Sequence, residues 1–148
     1  MEKRLFIGVI GGIIAGIIKD IPDALFHYGL KITSITFWDY SGIIALGRHP
    51  NGIAEFVYAI FYEVIFSIFI GVLFVYITTR FGAKRYLLWG GIYGALVWFA
   101  IRAGIVAFHI TALTDGGVTT AAINSMDSIF YGVILGGIIR YLEKKEHA

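Results

Sequence analysis

Residues Ile53–Thr79 read IAEFVYAIFYEVIFSIFIGVLFVYITT, and this stretch decides the fold. Only two of its 27 side chains, Glu55 and Glu63, are charged. A helix needs roughly 20 mostly apolar residues to cross a hydrocarbon core of about 30 Å. The stretch meets both requirements, so it predicts a membrane-spanning helix that carries two carboxylates.

Further apolar stretches on both sides of this segment predict spans at residues 5–28, 86–110 and 121–142. The chain has 148 residues, of which 58% are hydrophobic and 15% charged, and its mean hydropathy is +0.81. Soluble domains are closer to half apolar and a quarter charged. The sequence therefore predicts an all-α integral membrane protein, with residues 1–148 forming a single transmembrane domain built on a four-transmembrane-helix bundle.

Two regions are predicted to depart from straight spanning helices. Pro22 lies in the first stretch, and because proline has no backbone N–H, it predicts a kinked first helix. Residues 30–50 combine the aromatic run Phe37–Tyr40 with a short apolar stretch. Such a mixture is typical of an interfacial or re-entrant segment. His49–Gly52 predicts a turn before the second span.

Lysine and arginine residues near the predicted span ends are distributed unequally between the two sides of the bundle. The side of the two termini holds eight of them, namely Lys3, Arg4, Arg80, Lys84, Arg85, Arg140, Lys144 and Lys145. The other side holds two, Lys31 and Arg48. Because short basic loops remain in the cytoplasm, we expect a multi-pass protein of the prokaryotic plasma (inner) membrane with cytoplasmic N- and C-termini.

Composition also limits the chemistry and the partners. The chain has no cysteine, which excludes disulfides, thiolate metal sites and cysteine catalysis on these residues. Its net charge of +2 gives no indication of nucleic-acid binding. The expected partners are the lipid bilayer and either a second copy of the chain or another membrane subunit, and the sequence requires no cofactor.

Glycines recur at four-residue intervals within three of the predicted spans. These are Gly8, Gly12 and Gly16 in the first, Gly90 and Gly94 in the third, and Gly132 and Gly136 in the fourth. Residues four apart share a helix face, and small residues there let two helix backbones approach closely in a membrane. The pattern predicts a tight bundle, with contacts within the chain or contacts to a second protomer.

Ionisable residues within or beside the spans form the candidate site. They are Lys19, Asp20, Asp23, His27, Glu55, Glu63, Arg102 and Asp127. A helix rise of 1.5 Å per residue places nearly all of them in the outer half of the bilayer. Each charge costs roughly 2.5–3.5 kcal/mol in hydrocarbon. We therefore expect them to converge on a charged cavity. If the cluster is a structural network, Arg102 is expected to pair with Glu63 or Asp127 and Lys19 with Asp23.

Several interpretations of this cluster remain open. It is either a structural network of ion pairs, a vestibule for ion or proton movement, or a place where a partner protein, lipid or cofactor binds. A metal site drawn from Asp23, His27, Glu55, Glu63 or His109 is a further alternative, because carboxylates and imidazoles suit zinc, manganese and iron. No H-E-x-x-H spacing occurs, however. His27 and His109 are also candidates to ligate haem.

Four segments resemble the YagU-like family of small bacterial inner-membrane proteins of unknown function. They are Glu63–Ile68, Leu88–Leu96, Ile14–Lys19 and Ile138–Arg140. The resemblance extends over most of the chain and implies a four-span membrane fold without an assigned activity. The family pattern has a histidine where this chain has Glu63, so the resemblance does not support an inherited metal site.

The first functional hypothesis is a small transport or channel-like membrane protein, present as an oligomer. The second is a non-catalytic anchor or accessory subunit of a larger membrane complex. The third is an intramembrane enzyme that depends on a metal or cofactor. No catalytic motif, such as a G-x-S-x-G nucleophile elbow, favours the third hypothesis.

Overall fold

Helices account for nearly all of the computed structural model, which describes residues 2–81, 85–114 and 116–146. The α-helices are α1 (Glu2–Ala24), α2 (Phe37–Leu46), α3 (Ile53–Phe81), α4 (Tyr86–Ala107) and α5 (Gly117–Glu146). A π-helical turn, Leu25–Gly29, continues α1, and a 3₁₀ turn, Thr111–Leu113, precedes α5. The described residues contain no β-strand.

Four of the helices are long and apolar enough to cross a membrane, as the sequence predicts. These are α1 with its π-helical turn, α3, α4 and α5. The all-α four-helix membrane fold is thereby confirmed. Most helix ends lie within a few residues of the predicted span ends. Residues 82–84 of the predicted basic loop and residue 115 of the predicted turn before α5 lie outside the described residues.

The end of the first helix differs from a regular α-helix. Pro22 lies inside α1 and leaves one carbonyl of the preceding turn without its usual N–H donor. Three residues later the hydrogen bonding widens, and the N–H of Leu30 donates to the carbonyl of Leu25 at 2.9 Å. A π-helical turn of this kind is a common way to absorb a disturbance in a helix.

Helix α2 lies in the segment that the sequence predicts to be interfacial or re-entrant. Thr36 and Asp39 make a reciprocal capping box at its start, and Gly47 ends it in the left-handed conformation. Ten residues rise about 15 Å, which is half the thickness of the hydrocarbon core. The helix packs against α3. We call this end of the molecule the α2 end and the opposite end, which carries both termini, the terminal end.

The long helices pack in the order α3, α1, α5, α4. Helix α1 contacts α3 on one side and α5 on the other, and α5 also contacts α4. Helices α3 and α4 touch at only a few positions. The bundle is therefore closely packed on three of its sides, whereas the backbones of α3 and α4 lie farther apart and are joined through side chains such as Tyr93, whose hydroxyl donates to the carbonyl of Ile70 at 2.9 Å.

The contact between α1 and α3 is built on glycine. A Cβ atom placed on Gly8 would lie 2.6 Å from the Cα of Val72, and one on Gly71 would lie 2.8 Å from the Cα of Gly12. Helix backbones touch directly here, so any larger residue would push them apart. Gly16 lies at the same contact, against the side chain of Ser67.

The contact between α4 and α5 repeats this construction. A Cβ atom on Gly90 would lie 2.8 Å from the carbonyl carbon of Gly132, and one on Gly136 would lie 2.8 Å from that of Tyr86. Gly94 faces the backbone of Ser128 in the same way. Every glycine that the four-residue spacing singles out thus lies at one of two contacts within the chain.

Polar side chains form a layer between two apolar cores. Toward the terminal end, the first core contains Ile70, Phe74, Leu135 and Ile139. Toward the α2 end, the second core includes Ile43, Trp98 and Ile105. Between them on α1, α3 and α5 lie the buried residues of the polar layer, which are Lys19, Asp23, Glu63, Ser67, Asn124, Asp127 and Ser128.

Candidate functional site

An ion pair between α1 and α3 lies at the centre of the polar layer. Lys19 donates a hydrogen bond to Oε1 of Glu63, and both side chains are only 5% exposed. The Lys19 ammonium also lies 3.1 Å from Oδ1 of Asp20. On its other side it lies 3.8 Å from the centroid of the Phe37 ring, where the negative face of the ring attracts a cation. Two carboxylates and one aromatic ring thus hold a single ammonium group.

Asp23 connects this ion pair to α2. Its Oδ2 atom accepts a hydrogen bond of 2.8 Å from the backbone N–H of Phe37, the first residue of α2. A carboxylate at a helix N-terminus is favourable because the free N–H groups and the helix dipole are positive there. Asp23 therefore holds α2 over the polar layer. Its other oxygen, Oδ1, is buried without a protein hydrogen-bond partner.

Helix α5 contributes Asn124 and Asp127, which are three residues apart and so lie on one helix face. Asn124 donates from Nδ2 to the phenolic oxygen of Tyr40 at 3.1 Å. Asp127 is buried in the same layer, with 5% of its surface exposed. Its Oδ2 atom is buried and has no protein partner. Helix α5 thus adds a carboxylate but no cation to the polar layer.

The site contains more acid than base. Asp20 and Glu63 form ion pairs with the ammonium of Lys19, and two more carboxyl groups, those of Asp23 and Asp127, are buried in the same layer. No second Lys or Arg among the described residues forms an ion pair with them. Unbalanced ions are costly in a low-dielectric interior. Protons, water or a cation must offset the excess negative charge.

A cavity of about 170 Å³ adjoins the ion pair. Lys19 and Glu63 form part of its wall, and α2, α3, α4 and α5 supply the remainder. Tyr40 also lines it, and burial raises the pKa of this phenol, which keeps its hydroxyl protonated. The cavity lies where α3 and α4 separate, so the polar layer borders this side of the bundle.

Glu55 was predicted to join the cluster, and the structure separates it. Its carboxylate forms a bidentate pair with Arg48 at 2.7 and 2.6 Å and also accepts from the N–H of Asn51 at 2.7 Å. All of these groups lie in or near the loop before α3. The physical reason is local, since the turn from Gly47 to Gly52 places Arg48 beside the first turn of α3.

Arg102 does not form either of the ion pairs expected from the sequence. Its Nη1 atom donates to the backbone carbonyl of Leu113 at 3.1 Å. The 3₁₀ turn after α4 brings this carbonyl within reach, because α4 ends at Ala107 rather than at residue 110. The predicted ion pair between Lys19 and Asp23 was also wrong. Lys19 forms its ion pairs with Glu63 and Asp20 instead.

The two histidines proposed as ligands lie in the connections after α1 and α4. The Nδ1 atom of His27 is 2.9 Å from the carbonyl oxygen of Thr33 and hydrogen-bonds to it. His109 is exposed and has a left-handed backbone with φ of 53°. Among the described residues, no group of three or more His, Cys, Asp or Glu side chains is arranged to hold a metal ion.

Sequence reasoning missed Phe37, which contacts Lys19 and Asp23 directly, and the hydrogen-bonded pair of Asn124 and Tyr40. The position of Asn124 carried a signal, because it precedes Asp127 by three residues and shares its helix face. The aromatic residues carried none, since their role depends on how α2 folds back over α1. No family model, curated protein or solved structure matches the chain, so the resemblance to the YagU-like family stays a prediction.

Proposed function

We propose that this protein is a small proton carrier in which Glu63, paired with Lys19, takes up and releases the proton. The observation that carries the proposal is the position of this pair. The pair is buried between two of the predicted spanning helices and lies in the wall of a cavity. The polar layer around it holds more carboxyl groups than cations. Such groups in membrane proteins mark proton relays and ion pathways.

A carrier mechanism suits the fold better than an open channel. Toward the terminal end, the polar layer meets the apolar core around Phe74, Leu135 and Ile139, whose side chains are at most 1% exposed. A water-filled path through this core would require the α1–α3 or α1–α5 contact to separate. Movement of one part of the bundle against the other would expose Glu63 alternately to the two sides.

We also propose that the termini are cytoplasmic and that the membrane is the prokaryotic plasma membrane, so that the polar layer lies in the outer half of the bilayer. The excess of Lys and Arg on the terminal side supports this orientation. Oligomer formation is part of the same proposal. The glycines at the two backbone contacts already pack against helices of the same chain. Gly104 and Gly137 face open space instead and leave room for a neighbouring protomer.

Proton uptake into liposomes tests this function. Purified protein is reconstituted into vesicles that contain potassium and a trapped pH-sensitive dye, and valinomycin then sets a negative internal potential. We expect acidification that is faster than in empty vesicles and that Glu63→Gln reduces to the empty-vesicle rate.

The matched control is Glu55→Gln, which removes the same type of charge from the same helix two turns away. We expect this variant to retain the wild-type rate because its carboxylate faces the loop. Equal rates in wild-type and Glu63→Gln vesicles would refute the proposal, and so would an equal loss in both variants.

A further inference from the structure

The cavity beside Lys19 is of a size that admits a single ring. Its volume is about 170 Å³, and a protein cavity of about 150 Å³ is known to hold one benzene molecule. A glycerophospholipid head with two chains is far too large for this space. The dimensions limit the buried part of a ligand to a ring with small substituents.

The walls of the cavity are rigid and aromatic on one side. The Trp98 ring meets Tyr40 edge-on, with centroids 5.6 Å apart, and meets Phe37 in the same manner at 5.9 Å. Edge-to-face aromatic clusters hold their geometry through the ring quadrupoles. A flat ring would therefore find preformed aromatic surfaces here.

The charges in the wall disfavour an anionic ligand. Lys19 is already paired with Glu63 and Asp20, so an anionic head group would enter a desolvated site without a cation to pair with. Hydrogen-bonding groups are nevertheless present. Ser41 lines the cavity, and Glu63 has its second oxygen without a protein partner. A ring carbonyl could accept a hydrogen bond from the Ser41 hydroxyl, and a ring hydroxyl could donate one to this oxygen of Glu63.

The opening of the cavity faces the bilayer. Its rim includes Ile44, Tyr62 and Phe66, of which 63%, 40% and 41% of the surface is exposed. Ile44 belongs to α2 and the other two residues to α3, on the side where the backbones of α3 and α4 make few contacts. A ligand that enters here must be soluble in lipid, and an apolar tail could remain between α3 and α4.

We propose that this cavity binds the head of a neutral, lipid-soluble quinone, with the ring between Trp98 and the Lys19–Glu63 pair and the tail directed between α3 and α4. Binding is a separate property from proton transport. It is measured at equilibrium, so a failure of the flux experiment would leave this inference intact, and the reverse also holds.

Tryptophan quenching by decylubiquinone tests the proposal. The full chain is placed in phosphatidylcholine nanodiscs and titrated, and Trp98 is the one tryptophan among the residues that line the cavity. We expect saturable quenching. Val97→Phe and Ile101→Phe each place a larger side chain into the cavity and should weaken binding about tenfold.

Leu96→Phe is the matched control, because Leu96 adjoins Val97 on α4 but is 60% exposed. It should leave the affinity unchanged, and circular dichroism identifies any variant that loses helix. Palmitate tests the requirement for a neutral head and should not displace the quinone. The proposal is overturned if quenching fails to saturate, if both folded cavity variants bind like the control, or if palmitate competes.

Discussion

Two ion pairs involve glutamates of the same helix but differ in their exposure to solvent. Glu55 and Glu63 both lie on α3, eight residues apart. The first pairs with Arg48 in the loop, where the side chains are 29% and 59% exposed. The second pairs with Lys19, and both side chains are 5% exposed. In the sequence, both glutamates belong to one apolar segment. In the structure, Glu55 lies at the surface and Glu63 lies in the interior.

The difference shows that the surroundings determine what an ion pair does. Arg48 and Glu55 have nearly ideal bidentate geometry, yet water competes for both groups and salt screens them. Lys19 and Glu63 have no such competition, and the loss of either partner would leave an ion without compensation. Good ion-pair geometry therefore indicates a large contribution to the free energy of unfolding only where solvent is absent.

The largest expected effect comes from removing the cation of the buried pair. Lys19→Met leaves Glu63 and Asp20 without their common partner, and breaking a buried pair in this way costs about 3–5 kcal/mol. The free energy of unfolding from a reversible SDS titration measures it. As a control, Lys19→Met combined with Glu63→Leu should recover part of the loss, because the buried carboxylate of Glu63 is removed together with its partner while Asp20 stays without a cation.

If the single variant unfolded with the wild-type free energy, the pair would not be buried as described. A double variant no more stable than Lys19→Met would show instead that the lysine stem, rather than its charge, holds α1 and α3 together.

A smaller effect is expected at Asp23, which links the buried pair to α2. Asp23→Ala removes the acceptor for the N–H of Phe37, and the loss of a helix cap costs about 1 kcal/mol. Hydrogen exchange detected by mass spectrometry should be faster in residues 37–40 than in the wild type. Ile21→Ala is a suitable control, because Ile21 lies two residues earlier and is 66% exposed. Unchanged exchange in Asp23→Ala would show that α2 is held by its apolar contacts alone.

The smallest effect is expected at the exposed pair. Arg48→Met should leave the free energy of unfolding unchanged within error, because water replaces the lost contact. High salt should likewise leave the wild type and this variant indistinguishable, since it screens exposed charges. If Arg48→Met lowered the free energy of unfolding as much as Lys19→Met does, the exposed and the buried pair would not differ as described.

Much of the fold followed from local patterns. Apolar length alone located α3, because a helix satisfies every backbone group of a single 27-residue, mostly apolar segment in lipid. The four-residue recurrence of Gly8 and Gly12, and of Gly90 and Gly94, identified the faces that the structure places in contact. These features depend on one helix at a time, so sequence suffices to find them.

The composition of the site could be predicted only in part. Glu63 and Lys19 lie far from helix ends, so their depth was readable from the sequence. Their pairing was not, because it depends on the register of α1 against α3. Glu55 was misplaced because its partner is provided by a turn. Arg102 was misplaced because a 3₁₀ turn, which has no strong sequence signal, presents the carbonyl of Leu113.

Double-mutant cycles on the two pairs test the central claim most directly. One cycle combines Lys19→Met with Glu63→Leu, the other combines Arg48→Met with Glu55→Leu, and SDS titration gives each free energy of unfolding. The account predicts a coupling of about 1–3 kcal/mol between Lys19 and Glu63 and no measurable coupling between Arg48 and Glu55. Equal couplings in the two cycles, or a larger one at the exposed pair, would contradict it.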